Sequence, residues 1–152
     1  SINKAVETIK LEAEKNNIEI ILKGENIQIE HDPGKIAQVV SNLIKNSIIA
    51  IKPNEGKIEI NIESDPSDVT VSVKDNGTGI PKEKQAGLFK KFYQVDATLT
   101  RERGGSGLGL AICKGIIENH FGKIWIDSQV NQGATFSFKI PKNQSNQNKT
   151  PL

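Results

Sequence analysis

The sequence predicts an α+β domain of two layers, in which a mixed, mostly antiparallel sheet is covered on one face by about three helices. In the strand-like segments, apolar residues alternate with polar ones, so each strand has one apolar side and one side facing water. Between them lie segments with apolar residues at helical spacing, which supply the covering layer. A doubly wound parallel sheet would instead need nearly continuous apolar strands, which this sequence lacks.

The length and composition fit one domain that needs no disulfide or metal to stabilise it. A chain of 152 residues buries roughly 68–70% of its unfolded surface. Its single cysteine, Cys113, lies in an apolar run and is interpreted as a packed thiol. No signal peptide or long apolar run is present, which favours a cytoplasmic location. Because the sequence starts at Ser1 and has no methionine, we expect a fragment of a longer protein, which could be membrane-anchored.

The first half of the chain predicts a helix, a hairpin and a second helix. Residues 2–15 carry apolar side chains at helical spacing. Residues 18–22 and 27–29 alternate on either side of a glycine turn, which predicts a hairpin. Asp32 is placed to cap a second helix with proline at its first position, and Pro53 ends that helix.

A second pair of strands follows, and then a long loop. Residues 58–62 and 69–73 alternate around a turn at 65–68 that is rich in Asp, Pro and Ser. Residues 76–105 have no long periodic segment. A loop of that length in a compact domain indicates a function, such as a lid over an active site.

The remaining segments predict a last helix, a last hairpin and a tail. The helix begins near Leu108, and Gly122 is predicted to cap its end. Residues 124–126 and 136–140 form the hairpin strands. Residues 143–152 are polar and are predicted to be disordered, so the folded domain spans residues 1–142.

The densest glycine motif of the chain predicts an anion site. Residues 104–110 have the sequence Gly-Gly-Ser-Gly-Leu-Gly-Leu and lead into the last helix. Free N–H groups at a helix start favour phosphate, and glycines let a ligand approach the backbone. The lysine of a P-loop is missing, so that fold is excluded.

Asn42 and Asn46 lie four residues apart, which places them on one face of the second helix. Two interpretations stay open for this pair. They are either amides at the rim that cap loops, or ligands for Mg²⁺, which accepts amide oxygen and is held mainly by substrate phosphates.

Asp75 ends a predicted strand just before the glycine turn at 76–81. Its carboxylate could accept a hydrogen bond from the exocyclic amine of adenine, where guanine presents a carbonyl. The alternative is an Asx turn that only holds the loop.

Positive charge gathers between the two glycine turns, although the net charge of the chain is only +2. The charge is either a solvated basic loop or a set of phosphate contacts. No recognition helix or stacking aromatic accompanies it, so we expect no nucleic-acid partner. The basic residues are Lys82, Lys84, Lys90, Lys91, Arg101 and Arg103.

Taken in order, these motifs resemble the catalytic ATP-binding domain of sensor histidine kinases, which has the Bergerat fold of the GHKL superfamily. Several motifs in order are far more specific than any one of them. The matching segments are 38–47 (N box), 75–81 (first glycine box), 88–93 (F box), 105–110 (second glycine box) and 132–136 (last glycine box).

The resemblance implies how the base and the metal would be held. Asn46 would ligate Mg²⁺, and Asn42 would contact phosphate oxygens or metal-bound water. Asp75, which belongs to the first glycine box, would recognise the adenine amine. Gly79 would support it, and Thr135 would do so through water. The base pocket would further include Gly77 and, on its wall, Ile80.

The resemblance also assigns roles around the phosphates and the lid. Arg101 stands in the basic position before the glycines and would reach the γ-phosphate, while Phe89 and Phe92 would anchor the lid. The residues expected to wrap the phosphates are Gly105, Ser106, Gly107, Leu108 and Gly109.

Some positions depart from the pattern of the resembled family. Ile49 and Ala50 replace a lysine and an aromatic residue that many relatives carry, so one basic phosphate contact is lost. The lid pair Lys90 and Lys91 replaces a common Glu-Pro. Related gyrases and chaperones carry a glutamate at the position of Asn42 as a base for water, and an amide cannot accept that proton. We therefore expect slow ATP hydrolysis.

The implied function is an ATP-dependent protein-histidine kinase of a two-component system, with ATP and Mg²⁺ as cofactors. The acceptor histidine is expected on a helical dimerisation domain absent from this chain, because His31 precedes the helix start and His120 is placed to cap a helix end. A response regulator is the expected partner, and the isolated domain should be monomeric. Two alternatives stay open: a non-catalytic nucleotide-binding or docking module, and a serine kinase of the anti-sigma type.

Overall fold

The computed structural model describes residues 17–24, 33–51, 56–85, 87–89 and 109–142, together with Glu7, Lys10 and Glu14 singly. Within these residues the chain forms five strands and three helices. In chain order they are β1 (Glu19–Gly24), α1 (Pro33–Ala50), β2 (Lys57–Ser64), β3 (Asp68–Asp75), α2 (Lys82–Gln85), α3 (Gly109–Asn119), β4 (Lys123–Ser128) and β5 (Ala134–Pro141).

The strands form one mixed sheet with the order β1-β2-β3-β5-β4. The pairing of β1 with β2 is parallel, and the other pairings are antiparallel. This arrangement confirms the predicted fold class. The predicted hairpin partner of β1, residues 27–29, lies outside the described residues, and β1 itself pairs with β2, with Ile20 opposite Ile58.

The core lies between one face of the sheet and the helices α1 and α3. Four apolar residues of α1, Val39, Val40, Leu43 and Ile44, are each 0% exposed. Each such side chain contributes about 1.5–3 kcal/mol relative to an exposed position. The opposite sheet face is polar, and Ser72 and Ser137 share a hydrogen bond of 3.0 Å there. The clean alternation in the sequence therefore separates the two faces as predicted.

The end of α3 differs from the prediction by one position. Phe121, and not Gly122, adopts the left-handed conformation, with φ 62°. Phe121 N donates to Glu118 O at 3.0 Å, and Gly122 N donates to Ile117 O at 2.8 Å, which is the Schellman pattern. Gly122 is needed for a different reason, because a Cβ there would lie 2.2 Å from Lys139 O. The close packing of the helix end on β5 therefore selects the glycine.

The described residues include some of the other predicted features. His120 caps α3, since its Nδ1 lies 2.8 Å from Ile116 O. Glu7, Lys10 and Glu14 are helical and exposed, as the polar side of the predicted first helix should be. Most of residues 2–15, His31, the end of the lid (residues 90–105) and the tail (143–152) lie outside the described residues. In the described part of the chain, no helix is long and apolar enough to cross a membrane.

We expect Gly115→Ala to stabilise the domain. Gly115 lies inside α3, and a Cβ added there would meet nothing within 4 Å. The substitution should raise the free energy of unfolding by about 0.5–1 kcal/mol, because alanine loses less backbone entropy in a helix. Urea unfolding followed by circular dichroism measures the change. The control is Gly133→Ala, at φ 82°, which should destabilise by at least about 1 kcal/mol; equal effects at both positions would contradict this account.

Candidate functional site

Helix packing brings Asn42 of α1 to the first turn of α3. A Cβ added to Gly109, the first residue of α3, would lie 4.0 Å from Asn42 Cγ. One turn further, the Cys113 thiol donates to Val39 O at 3.8 Å and also contacts the Asn42 amide. The asparagine therefore lies beside a helix N-terminus, whose free N–H groups favour an anion. Asn46 is half-buried on the same helix, one turn along.

Cys113 itself is chemically inert in this setting. It is 0% exposed, and burial raises the pKa of its thiol to about 11, although the Asn42 contact opposes the shift. A thiol that stays protonated at neutral pH is a poor nucleophile and a poor metal ligand. The prediction of a packed thiol is confirmed.

Asp75 lies at the end of β3 with only 3% of its surface exposed. Its Oδ1 accepts hydrogen bonds from Gly77 N at 2.9 Å and from Ala134 N at 3.2 Å. The bond to Gly77 forms an Asx turn, which was one of the two interpretations of Asp75 left open by the sequence. Since that turn uses only one carboxylate oxygen, it is compatible with a ligand on the other.

The second oxygen, Asp75 Oδ2, is buried and has no hydrogen-bond partner in the described part of the chain. Burial raises the pKa of the carboxyl above its usual value of 3.8, against the opposing influence of the Gly77 and Ala134 N–H groups and the Ser47 hydroxyl. An orphaned carboxylate oxygen costs about 1–3 kcal/mol or more. The site is therefore suited to a ligand that brings a hydrogen-bond donor.

Two glycines let other backbone segments approach the loop that follows Asp75. Gly79 has φ 74°, and a Cβ there would lie 2.0 Å from Gln129 O. Gly133 has φ 82°, and a Cβ there would lie 2.1 Å from Asp75 O. Gly133 therefore brings the last glycine box against the backbone of the first, and Gly79 brings the first box against the turn that follows β4. Each approach needs glycine.

Two polar residues that the sequence did not single out hold this loop in place. Ser128 Oγ accepts from Ile80 N at 2.8 Å and donates to Gly133 O at 2.9 Å. Gln85 Nε2 donates to Ile80 O at 2.9 Å and to Ser128 O at 3.0 Å. A serine at a strand end beside a glycine turn was the available signal for Ser128, whereas nothing in the sequence indicated Gln85.

Thr135 lies on the face of the sheet opposite to Asp75. In the sheet it pairs with Lys74 and Asp127, so its side chain is on the polar face. The residue of this motif that contacts the Asp75 carboxylate directly is Ala134, through its backbone N–H. The expected support of Asp75 by Thr135 through water stays a prediction.

Some of the remaining predicted site residues lie in the described part of the chain, and the others lie outside it. Ile80 is half-buried and packs against the core, as expected for a pocket wall, and Gly77 lies against α1, where a Cβ would be 2.5 Å from Ala50 O. Phe89 is half-buried, and Lys82 and Lys84 are exposed. The predicted site residues Phe92, Arg101, Gly105, Ser106, Gly107 and Leu108 lie outside the described residues.

Comparison with known proteins identifies relatives of the whole domain. Residues 31–144 match the model of the family described as "Histidine kinase-, DNA gyrase B-, and HSP90-like ATPase". The sensor protein kinase WalK of Staphylococcus aureus is 38% identical over 144 residues, which are 92% of this chain and 34% of that protein. In the JH9 strain the covered share of WalK is 23%. The chain thus spans about a quarter to a third of the length of these curated relatives.

Solved structures include a histidine kinase catalytic domain of matching length. The catalytic domain of the histidine kinase ThkA is 36% identical, with a TM-score of 0.80, over 93% of this chain and 90% of that one. ThkA in complex with the response regulator TrrA is 35% identical, with a TM-score of 0.75, over 93% of this chain and 39% of that one. The mycobacterial sensor histidine kinase MprB, at 23% identity and a TM-score of 0.80 over 93% of each chain, shares the fold.

We expect Asp75→Asn to stabilise the unliganded domain in a pH-dependent way. Because the pKa of Asp75 is raised in the folded state, the folded protein holds a proton that the unfolded chain loses. Stability therefore falls as pH rises from the unfolded value of 3.8 through the raised value. The asparagine removes this loss, so the gain in unfolding free energy should grow with pH and then level off. Urea unfolding at several pH values measures it.

The control substitution is expected to change stability in the opposite direction. Backbone N–H groups of Asp68 and Ser67 lower the pKa of Asp65, so its contribution to stability is present above 3.8 and is lost as pH falls through the lowered value. Asp65→Asn should therefore cost stability at neutral pH. A pH-independent difference between Asp75→Asn and the unmodified protein would refute the raised pKa.

Proposed function

Because this chain belongs to the family of histidine kinase-, DNA gyrase B- and HSP90-like ATPases, as a catalytic domain of the histidine kinase type, we propose that it binds Mg-ATP and transfers the γ-phosphoryl group to a histidine. The acceptor is supplied by a helical dimerisation domain outside this chain. The observation that carries the proposal is the buried, unpaired Oδ2 of Asp75 at the junction of the glycine boxes.

That oxygen fits adenine and rejects guanine. The exocyclic amine of adenine donates a hydrogen bond, which satisfies the orphaned acceptor. Guanine places a carbonyl oxygen at the same ring position, so its approach would set two acceptors against each other. The neighbouring Gly79 and Ile80 are held by backbone contacts, and they supply the close approach and the apolar wall that a flat base needs.

The phosphates and the metal would lie along α1 and at the start of α3. Asn46 offers an amide oxygen, a hard ligand of the type that Mg²⁺ accepts, and the metal would neutralise charge on the phosphates. Asn42 lies against Gly109 at the N-terminus of α3, where an amide and free N–H groups can share phosphate oxygens. Arg101 and the residues 105–108 complete this set in the proposal, on the strength of the sequence motif.

The reaction we propose is transfer to a histidine rather than to water. A histidine ring nitrogen forms a bond to the γ-phosphorus, the bond to the bridging oxygen breaks, and ADP leaves with the electron pair. The ring proton passes to a general base on the acceptor domain. Phosphoryl transfer asks the protein for positioning and charge stabilisation more than for covalent chemistry. Asn42 cannot act as a base toward water, so the phosphoryl group is kept for the protein acceptor.

The proposed setting is a two-component signalling protein of the cytoplasm or of its membrane surface. The relative ThkA has been solved in complex with the response regulator TrrA, and we propose a response regulator as the downstream partner of this chain as well. The dimer contacts are assigned to the helical domain outside this chain, so the catalytic domain by itself should be monomeric.

We expect the domain to bind ATP selectively and to need Asn46 for the effect of magnesium. Isothermal calorimetry should show binding of Mg-ATP, at least about 10-fold weaker binding of Mg-GTP, and loss of this preference in Asp75→Asn. Asn46→Ala should weaken Mg-ATP binding by about 10-fold or more. With EDTA present, Asn46→Ala and the unmodified protein should bind ATP alike.

The matched control is Asn61→Ala. Asn61 lies on the polar face of the sheet, where its amide donates to Glu63 at 2.8 Å, and its loss should leave affinity unchanged. If the folded protein binds neither nucleotide, ATP binding is ruled out for this chain, and a docking module becomes the better hypothesis.

We expect phosphate release to be much slower than phosphoryl transfer. With radiolabelled ATP and a histidine-bearing helical dimerisation domain, the label should appear on that domain as an acid-labile, base-stable phosphate. Replacing the acceptor histidine with glutamine is the control and should abolish the label. Rapid phosphate release without an acceptor, or an acid-stable label of the kind that serine carries, would contradict histidine transfer.

A further inference from the structure

The backbone of Ile80 is held by side chains at both of its polar groups. Its N–H donates to Ser128 Oγ at 2.8 Å, and its carbonyl oxygen accepts from Gln85 Nε2 at 2.9 Å. The same Gln85 nitrogen donates to Ser128 O at 3.0 Å. Ser128 is the last residue of β4, far from Ile80 along the chain. The side chains of Gln85 and Ser128 therefore form a clamp, the Ile80 clamp, between the first glycine box and the β4–β5 hairpin.

The Ile80 clamp needs a hydrogen-bond donor at residue 85. Both atoms that face Gln85 Nε2 are carbonyl oxygens, which accept hydrogen bonds and cannot donate them. The side-chain NH₂ group has two hydrogens, one for each of these oxygens. A glutamate would have the same shape but would set an acceptor against two acceptors. The contact therefore depends on the chemistry of the amide and not only on the space that the side chain fills.

The Ile80 clamp is also connected to Asp75. Ser128 Oγ donates to Gly133 O at 2.9 Å, and Gly133 lies against the backbone of Asp75, where a Cβ would be 2.1 Å from Asp75 O. The next residue, Ala134, donates its N–H to Asp75 Oδ1 at 3.2 Å. A continuous chain of contacts thus joins the clamp to the carboxyl group, and it sets the separation between Ile80 and Asp75.

We propose that Gln85 is a positioning residue of the nucleotide site, which holds the main chain of Ile80 at the separation from Asp75 that a base requires. This inference rests on the proposed ATP site. Gln85 acts through Ile80 and not by contact with the nucleotide. Because the protein's own groups form the clamp, the nucleotide does not have to order this wall of the pocket. Loss of the clamp should therefore reduce affinity.

Hydrogen exchange of the Ile80 N–H, followed by NMR, tests the clamp without a nucleotide. Gln85→Met keeps the length of the side chain and removes the donor. Exchange of the Ile80 N–H should become about 3- to 10-fold faster, the equivalent of one hydrogen bond. The N–H of Val71, within the central strand β3, should exchange as before. Unchanged exchange at Ile80 would overturn the proposal, because Ile80 would then be held without Gln85.

Calorimetry with Mg-ADP tests the effect on the site. Gln85→Met should weaken binding about 3- to 10-fold. Gln85→Glu should weaken it further, by at least about 10-fold, because the carboxylate faces two carbonyl oxygens. The control is Ser72→Ala, which removes the hydrogen bond of 3.0 Å to Ser137 on the polar face of the sheet. It should lower stability and leave the affinity unchanged, which separates positioning from a general loss of stability.

A double variant tests whether the two side chains act as one unit. Gln85→Met and Ser128→Ala each break the Ile80 clamp, so the double variant should lose little more affinity than the more affected single variant. Additive losses would mean that the two side chains act separately, which contradicts the clamp. Ser128→Ala alone, with exchange at Ile80 and Mg-ADP affinity as readouts, serves as the test if the Gln85 variants do not fold.

The remaining outcomes overturn the proposal in distinguishable ways. Faster exchange at Ile80 with unchanged affinity for Mg-ADP means that the clamp has a structural role only. A loss of affinity without faster exchange means that Gln85 acts on the nucleotide directly. Full affinity in Gln85→Glu means that the shape of the side chain is sufficient. If the unmodified, folded protein binds no Mg-ADP, the proposed function itself fails, and this inference fails with it.

Discussion

The Asp75 carboxylate is the contact on which the candidate site depends. Through Oδ1 it ties the end of β3 to Gly77 in its own loop and to Ala134 at the start of β5. Those bonds bring the first and last glycine boxes together and leave Oδ2 buried, with no partner in the described part of the chain. One carboxyl group therefore performs a structural task with one oxygen and keeps the other for a ligand.

The rest of the pocket is arranged before a nucleotide arrives. Backbone approaches at Gly79 and Gly133 are too close for any side chain, and Ser128 and Gln85 fasten the Ile80 segment to the β4–β5 hairpin. A base that enters such a site orders little of the protein, so less of the binding energy is lost to conformational entropy.

Prediction from the sequence worked where the determinants are local. Alternation predicted all five described strands and both faces of the sheet, and the glycine turn that follows Asp75 placed the end of β3 at that residue. The parallel pairing of β1 with β2 depends on long-range contacts that local patterns do not encode. The side of the sheet on which Thr135 lies also follows from strand register. The role of Gln85 could not be predicted, because its side chain donates to backbone carbonyls that lie apart along the chain.

The buried Oδ2 of Asp75, which has no partner in the described part of the chain, gives the candidate site a place for a hydrogen-bond donor. A buried acceptor without a hydrogen bond destabilises the folded protein. In the proposed site, the donor on a base edge would offset that cost. The unliganded domain is therefore less stable than its fold allows, and binding restores the difference as affinity. In the proposed reaction Asn42 cannot act as a base toward water, so the phosphoryl group of bound ATP would be kept for a nucleophile on another polypeptide segment.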